Sequence, residues 1–262
     1  MNRYDLKGKV ALITGAGQGI GKGAAQAIAH SGANVILCGR TMDKLNEVAE
    51  EIKLLGVEVL PIKMDVSNID EINNAVSQGV EKFGKIDILL NCAGICGEFK
   101  LVDTEPEFWD KIFDINLRGS VFMSKAVAKH MIEKGINGTI QFVSSQAGKL
   151  GEYGFPAYSA SKSALHAVCQ SMALELAEYN INVVTVCPGF TDTQMMQAEF
   201  QEKGALNNTD PKIHEQELID TIPLKRMASP YEIGSLMAYL SSEEASYITG
   251  VTITIAGGYV NI

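Results

Sequence analysis

Seven short apolar runs, separated by longer segments of mixed polarity, extend along the 262-residue chain. The runs are rich in β-branched residues and lack strict polar–apolar alternation, which is typical of strands covered on both faces. In the segment 70–83, apolar residues recur at spacings of three and four, which predicts an amphipathic helix. Strands that alternate with such helices predict a parallel sheet with right-handed crossovers. The predicted strands are Val10–Ile13, Asn34–Cys38, Val57–Met64, Ile86–Leu90, Thr139–Val143, Val183–Cys187 and Thr252–Ile255.

The same alternation predicts one α/β domain over residues 1–262, a three-layer, doubly wound fold around a seven-stranded parallel sheet. No linker, repeat or low-complexity segment interrupts it. Residues 189–227 lack a clear strand or helix pattern, and a connection of that length predicts a substrate-binding loop. Residues typical of helix caps predict three helix boundaries. They are Ser67, Gly32 and Ser229-Pro230.

Composition limits the partners of the chain. Its formal net charge of −9 at pH 7 disfavours binding to the phosphates of a nucleic acid. No apolar run approaches the roughly 18 residues of a membrane-spanning helix, and the amino terminus carries Asp5 and lacks the apolar core of a signal peptide. We therefore expect a soluble, cytoplasmic protein. The five scattered cysteines and four distant histidines do not have the spacing of a zinc site, so we expect free thiols and no metal.

A glycine-rich turn follows the first predicted strand and precedes a helical pattern. Glycines allow a tight turn and let a pyrophosphate approach the amides at the helix N-terminus, where the helix dipole favours an anion. The strand before the turn and the helix after it are the context that a dinucleotide-binding turn requires. The predicted binding residues of this turn are Gly15, Gln18, Gly19, Ile20 and Gly21.

The end of the second strand predicts the choice of dinucleotide. NAD enzymes usually place an acid there to bind the ribose 2′-hydroxyl, whereas an arginine accommodates a 2′-phosphate. Here Gly39 occupies the position of the acid and Arg40 follows it. A guanidinium pairs with a phosphate in bidentate fashion, so we expect NADP(H) to be preferred. NAD(H) remains an alternative, in which Arg40 is a solvated charge or stacks on adenine.

Tyr158 and Lys162 are four residues apart, so on a helix they lie on one face. A nearby cation lowers the pKa of a phenol, which suits Tyr158 for general acid–base catalysis. Ser145 lies 13 residues upstream, after the fifth strand, where ligands of open α/β sheets bind. Its hydroxyl is a candidate to orient a substrate oxygen against the phenol. Ser144 competes for this role on position alone.

In order and spacing these motifs resemble those of the short-chain dehydrogenase/reductase family, which has a Rossmann fold. The glycine turn resembles its Thr-Gly-x-x-x-Gly-x-Gly motif, and Asn91-Cys92-Ala93-Gly94 resembles its Asn-Asn-Ala-Gly motif with cysteine at the second position. The serine-to-tyrosine spacing of the family favours Ser145 over Ser144. The resemblance assigns further cofactor-binding residues, which are Asp65, Val66, Asn91, Ala93, Gly94, Tyr158, Lys162, Pro188, Gly189, Thr191 and Thr193.

The resemblance implies hydride transfer between a nicotinamide and a secondary alcohol or its ketone. Ser145, Tyr158 and Lys162 would be catalytic, with Asn116 completing a proton relay through water. Gln18 departs from the basic residue of many NADP-preferring relatives. The non-enzymatic alternatives are a regulator that binds NADP(H) without turnover and an interaction protein on a borrowed fold.

The substrate is the least determined feature. The sequence is similar to polyol and acetoin dehydrogenases of the family, and hydroxysteroid dehydrogenases and 3-oxoacyl-carrier-protein reductases share the same frame. In the segment 191–205, Met195, Met196 and Phe200 form either a flexible apolar lid or an ordinary packed helix. The family resemblance also implies a homotetramer, packed through the helices around 119–134 and 156–179. The latter is rich in small residues that permit close approach of helices.

Overall fold

The computed structural model describes residues 4–260, so residues 1–3 and 261–262 of the predicted domain lie outside the described residues. All seven predicted strands are present and pair in parallel within one sheet of order β3-β2-β1-β4-β5-β6-β7. This confirms the predicted fold class. The strands are β1 Val10–Thr14, β2 Asn34–Gly39, β3 Val59–Lys63, β4 Ile88–Asn91, β5 Thr139–Val143, β6 Asn182–Pro188 and β7 Thr252–Ile255.

Helices cover both faces of the sheet. One core cluster joins the sheet to α1, α2 and α9, and the other joins it to α3, α5 and α6. A six-residue π-helical segment, Asp114–Gly119, connects α4 to α5. Among the described residues, no helix has the length and apolar character that crossing a membrane would require. The helices are α1 Gly19–His30, α2 Met42–Lys53, α3 Ile69–Phe83, α4 Pro106–Phe113, α5 Ser120–Lys134, α6 Pro156–Leu176, α7 Gln194–Asn207, α8 Pro211–Thr221 and α9 Pro230–Leu240.

The central strands are buried on both sides, which explains why they lack polar–apolar alternation. Every residue of β1, β4 and β5 is buried. Strands β2 and β4 flank β1, so the chain leaves β1 and β4 toward opposite edges of the sheet. A crevice forms outside the carboxyl ends of the strands at such a switch point. In this crevice Thr14 lies beside Asn91, which brings the glycine turn next to the segment after β4.

Two of the three predicted helix boundaries are confirmed. Gly32 has a φ of 95°, the left-handed conformation expected after a helix. Ser229 caps α9 in a reciprocal capping box with Glu232. The prediction for Ser67 was wrong. Its amide and hydroxyl bond to Asp65 Oδ1, and Asn68 caps α3 instead by accepting bonds from two helical amides.

The segment 189–227 is not the irregular loop that was predicted, because it contains α7 and α8, while its role in substrate binding stays a prediction. Most side chains of both helices are exposed or half-buried, so neither shows the strong apolar stripe of a core helix. The capping residues of both helices are nevertheless recognisable in the sequence. Thr193 accepts a bond from the Met196 amide, and Asp210 accepts one from the Lys212 amide ahead of a proline at the first helical position.

Candidate active site

The switch-point crevice opens into a cavity of about 820 Å³. It extends from the glycine turn, past the ends of β4, β5 and β6, to α7. The structure brings almost all of the predicted site residues to its wall. Those that line it are Gly15, Gln18, Gly19, Ile20, Gly21, Arg40, Asp65, Val66, Ala93, Gly94, Ser145, Tyr158, Lys162, Pro188, Gly189, Thr191 and Thr193.

At Gly21 the glycine turn packs so closely against the start of α1 that there is no space for a side chain. A Cβ on Gly21 would overlap the carbonyl oxygen of Gly15, so the helix N-terminus can meet the turn this closely only with glycine. Thr14 Oγ1 accepts bonds of 3.1 Å from the amides of Cys92 and Ala93, which fixes the turn against the end of β4. The turn and the N-terminus of α1 therefore fit the pyrophosphate of a dinucleotide.

Two cations lie at the end of the cavity that the glycine turn and the residues after β2 form, where the sequence predicts the adenosine ribose. We call this the adenosine end. Arg40 follows β2, as expected, and Lys44 on α2 also lines the cavity. Lys44 Nζ donates bonds to Gln18 Oε1 at 2.5 Å and to Gln194 Oε1 at 3.3 Å, so it lies above the glycine turn. Sequence reasoning missed Lys44. Its position in the first turn of the helix after β2 was the available signal.

Asp65 follows β3 by two residues and lies on the same side of the cavity as Arg40. Burial alone would raise the pKa of this carboxyl, but two hydrogen bonds from Ser67 and the charge of Arg40 outweigh it and hold the pKa below its usual value. Asp65 is therefore an anion close to Arg40, at a position that the resemblance assigned to cofactor binding.

Ser145 and Tyr158 meet at the carboxyl end of β5. Pro156 occupies the first position of α6, so Tyr158 lies in the first helical turn and faces the strand end. The Ser145 side chain lies within hydrogen-bonding reach of the Tyr158 hydroxyl, whose pKa it lowers, and it accepts a bond of 3.1 Å from the Ala147 amide. Ser144 donates instead to the Lys162 carbonyl, at 2.8 Å, and contacts His166. Geometry therefore places Ser145, and not Ser144, beside the phenol.

Lys162 follows Tyr158 by one helical turn, and its Nζ lies 5.7 Å from the centroid of the Tyr158 ring. It is 5% exposed and donates a 2.8 Å bond to the carbonyl of Val143. A Cβ on Gly94 would lie 3.2 Å from Lys162 Nζ and 3.3 Å from Asn116 Oδ1. Gly94 thus lies between the amine and Asn116, and a larger residue there would displace one of them.

Asn116 lies behind the cavity wall, in the π-helical segment between α4 and α5. Its side chain donates 2.9 Å to the Ile95 carbonyl and 3.2 Å to Ser161 Oγ, and it accepts 2.8 Å from the Ile95 amide. The side chain therefore anchors the segment after β4 to α6. Irregular helical turns of this kind are frequent at functional sites.

Asn91 does not line the cavity, contrary to the prediction that it binds the cofactor. Its side chain donates 2.9 Å to Ser124 Oγ and 3.3 Å to the Gln141 carbonyl. As the last residue of β4 it is 2% exposed and turned toward α5 and β5. Its contacts therefore tie the end of β4 to α5 and β5.

The protonation of the Tyr158–Lys162 pair differs from the expectation. Burial raises the pKa of Tyr158 and outweighs the Ser145 hydrogen bond, which acts in the opposite direction. Burial also lowers the pKa of Lys162 to about 8. Because both groups are enclosed, the cost of removing each charge from water exceeds the attraction that one helical turn of spacing provides. The residues of this chain alone therefore do not acidify the phenol.

The end of the cavity farthest from the glycine turn, beside Ser145 and Tyr158, has a wall that sequence reasoning largely missed. We call it the far end. Met195 and Met196 line it, in part as expected, but Phe200 is 3% exposed and packed inside, so it is not part of a lid. The other residues here are mostly polar or aromatic and come from three separate segments. They are Gln146, Glu152, Phe155, Phe190, Glu199, Lys203 and Tyr259.

Fold and site together define the class of protein: a dinucleotide-binding oxidoreductase with a Ser-Tyr-Lys group at the switch point of a parallel sheet. The chain belongs to the short-chain dehydrogenase family, whose model matches residues 9–204. The family expected from the sequence is thus confirmed.

Relatives span several substrate classes. The 3-oxoacyl-acyl-carrier-protein reductase FabG of Thermotoga maritima is 37% identical over 97% of this chain and 99% of its own. Galactitol 2-dehydrogenase of Agrobacterium fabrum is 36% identical over 97% of this chain and 98% of its own. The crystal structure of L-sorbose reductase from Gluconobacter frateurii, in complex with NADPH and L-sorbose, covers 100% of both chains with a TM-score of 0.94 and 30% identity.

Proposed function

We propose that this protein is an NADP(H)-preferring oxidoreductase that interconverts a secondary alcohol, of the polyol or hydroxyketone type, and its ketone. The observation that carries the proposal is that Ser145 and Tyr158 meet at the carboxyl end of β5, within hydrogen-bonding reach of each other and one helical turn from Lys162. All three line the same cavity as the dinucleotide-binding turn.

In the proposed mechanism Ser145 holds the substrate oxygen against the Tyr158 hydroxyl. Tyr158 donates its proton to that oxygen during ketone reduction and accepts it during alcohol oxidation. Lys162 would hold the nicotinamide ribose, and Asn116 keeps the neighbouring segment in place. The nicotinamide supplies or accepts the hydride when bound.

The raised pKa of Tyr158 favours the reductive direction, because the phenol keeps its proton until a substrate takes it. Oxidation requires the phenolate. The positive charge of an oxidised nicotinamide beside the ring would lower the Tyr158 pKa, as would the ammonium of Lys162. We therefore expect cofactor binding, and not the protein alone, to make Tyr158 an effective base.

Preference for NADP(H) is supported by Arg40 and Lys44, which both lie at the adenosine end of the cavity. No acid occupies the end of β2, where Gly39 stands. The NADPH complex of L-sorbose reductase agrees with this preference. Asp65 weakens it, since its charge already acts on Arg40, and NAD(H) remains the alternative.

The polyol class is supported by the two relatives named for galactitol and L-sorbose. It also agrees with the polar side chains at the far end of the cavity, which suit a hydroxylated substrate better than a steroid. The acyl-carrier-protein reductase among the relatives favours a thioester substrate as the second candidate.

The decisive experiment follows NADPH oxidation with L-sorbose, acetoin, a 3-oxosteroid and acetoacetyl-CoA, and NADP⁺ reduction with galactitol. We expect turnover with the sugar-like compounds, and Tyr158→Phe should lower kcat at least about 1,000-fold while NADPH fluorescence still reports binding. Tyr247→Phe, the same change at an exposed tyrosine outside the cavity, serves as the control. Full activity of Tyr158→Phe would refute the mechanism, and binding without turnover by the wild type would identify a regulator.

We also propose a homotetramer that packs through α6. The outer side of this helix carries Ser163, Ala167 and Ser171, all exposed, and Leu174, which is 84% exposed. These residues recur at spacings of three and four and form a mostly small, uncharged stripe.

A further inference from the structure

Gln146 is buried beside the proposed reaction centre, and its Oε1 has no hydrogen-bond partner in the part of the chain that the structure describes. It is 3% exposed and follows Ser145 directly. Its Nε2 donates a 3.1 Å bond to Glu152 Oε1. Because a carboxylate can only accept, this bond fixes which end of the amide faces Glu152. Gln146 Oε1 therefore points away from Glu152, and among the described residues it has no hydrogen-bond partner.

The unpartnered oxygen lies at the reacting end of the cavity. A Cβ on Gly189, just after β6, would be 3.0 Å from Gln146 Oε1. Gln146, Gly189 and Tyr158 all line the cavity. An acceptor that is buried without a partner is costly, so it is expected to accept a hydrogen bond from a group that enters the cavity.

Glu152 supplies a second acceptor nearby. It is half-buried and lines the cavity between Gln146 and α7. Burial is the main reason that the Tyr158 pKa is raised, and the charge of Glu152 adds to it, so this carboxylate acts directly on the phenol. Burial and the charge of Glu199 raise the pKa of Glu152 itself.

Apart from Glu152, the charged side chains of this wall are paired with each other. Glu199 and Lys203 on α7 form an ion pair of 2.7 Å, and both line the cavity. The charge of Glu98, which lies against Gly154, also acts on Lys203. Among the described residues of this wall, Lys203 carries the one ammonium and is paired within the wall, so the charge of Glu152 is left without a cation there.

We infer that Gln146 and Glu152 form a hydroxyl-reading pair, which selects neutral ketones with a hydroxyl group next to the carbonyl and rejects anionic ones. This inference rests on the proposed function and names the substrate class of the same site. Two acceptors beside the reacting oxygen require donors on the substrate, and an adjacent hydroxyl supplies one. A substrate carboxylate would meet the unpaired charge of Glu152 and be repelled.

Two pairs of ketones isolate these effects. Acetoin and butan-2-one differ by one hydroxyl next to the carbonyl. L-Sorbose and 5-keto-D-gluconate differ only in a terminal CH₂OH against a carboxylate. We expect the wild type to favour acetoin and L-sorbose, each by about 10-fold or more in kcat/KM with NADPH, as a hydrogen bond to a buried or charged group allows.

Two variants assign the effects to residues. Gln146→Met keeps the size of the side chain and removes the acceptor, so the acetoin preference should fall to within about 2-fold of unity. Glu152→Gln removes the charge and keeps the shape, so 5-keto-D-gluconate should gain about 10-fold relative to L-sorbose. Glu202→Gln, exposed on α7 outside the cavity, should change neither ratio. Circular dichroism and NADPH fluorescence check folding and cofactor binding of each variant.

The outcomes separate the inference from the proposed function. If the wild type reduces none of the ketones, the proposed function itself fails. If it reduces them without either preference, or if both variants change all four substrates equally, only the hydroxyl-reading pair is refuted. Weakened NADPH binding in Gln146→Met, with equal losses for acetoin and butan-2-one, would assign the free oxygen of Gln146 to the cofactor instead.

Discussion

At the scale of single residues, burial opposes the charges that the proposed proton transfer uses. It raises the pKa of Tyr158 and lowers that of Lys162 to about 8. A cation with a lowered pKa loses its charge as the pH rises. Lys162 is therefore an ammonium below about pH 8 and a neutral amine above it, while Tyr158 keeps its proton over the same range.

We expect the kcat of ketone reduction to be level at neutral pH and to fall as the pH rises through about 8, because neutral Lys162 no longer stabilises the developing phenolate. The measurement is a pH–rate profile of the wild type and of Lys162→Arg, whose guanidinium stays charged. The arginine variant should be slower but level to a higher pH. The same inflection in both proteins would mean that another group titrates.

A second residue-scale prediction concerns Arg40 and Lys44. Lys44→Gln and Arg40→Gln should each lower kcat/KM for NADPH about 10-fold and leave the value for NADH within about 2-fold, because charge-assisted bonds to a 2′-phosphate are lost. Lys53→Gln, at the exposed end of the same helix as Lys44, is the matched control. A wild type that prefers NADH would overturn the assignment.

At the scale of secondary structure, α9 supports the dinucleotide-binding helix from behind. A Cβ on Gly234 of α9 would contact the backbone of Gly23 in α1, so the two helices touch directly. The start of α9 is held by the capping box of Ser229 and Glu232, and Arg226 pairs with Glu232 at 2.7 and 2.8 Å. A loose start of α9 would therefore loosen the support of α1.

Ser229→Ala should lower the free energy of unfolding by about 1 kcal/mol, as is usual for the loss of an N-cap. Urea denaturation measures it, and Ser77→Ala in the exposed middle of α3 should be neutral or slightly stabilising. A decrease in the free energy of unfolding of less than a few tenths of a kcal/mol would mean that α9 does not depend on its cap.

The Glu232 pair also has a defined pH dependence. Arg226 and Ser229 lower the pKa of Glu232 to about 2. The contribution of the Glu232 carboxylate to the free energy of unfolding is therefore complete above pH 4.5, the ordinary pKa of a glutamate. It is lost as the pH falls from about 4.5 to 2. The Glu232 side chain is 42% exposed and Arg226 57%, so solvent keeps this contribution small.

At the scale of the whole molecule, the proposed tetramer predicts a mass of four chains in light scattering at micromolar concentration. Leu174→Glu should reduce this mass, because a carboxylate in the proposed contact loses water without gaining a partner. Leu54→Glu is the control, since Leu54 is 87% exposed beyond α2. Leu174 is exposed in the single chain, so folding should survive the change. A monomeric wild type, or a tetramer unaffected by Leu174→Glu, would contradict the proposed interface.

The sequence determined the features that depend on neighbours along the chain. Strand and helix order, the glycine turn and the one-turn spacing of Tyr158 and Lys162 follow from periodicities of two to four residues, which local geometry imposes. The parallel sheet followed from the alternation of strands and helices, whereas the order of its strands was seen only in the structure. Even the misplaced cap at Ser67 was wrong by one residue, because Asp65 competed for its hydroxyl.

Only the tertiary structure decided the features that depend on contacts between distant segments. It turned Asn91 away from the cavity, placed Lys44 above Gln18, and brought Glu152 against Gln146. It also enclosed Tyr158 and Lys162 so that burial outweighs their attraction. Spacing along a chain shows which groups can meet, whereas solvation and the direction of a side chain depend on everything packed around it.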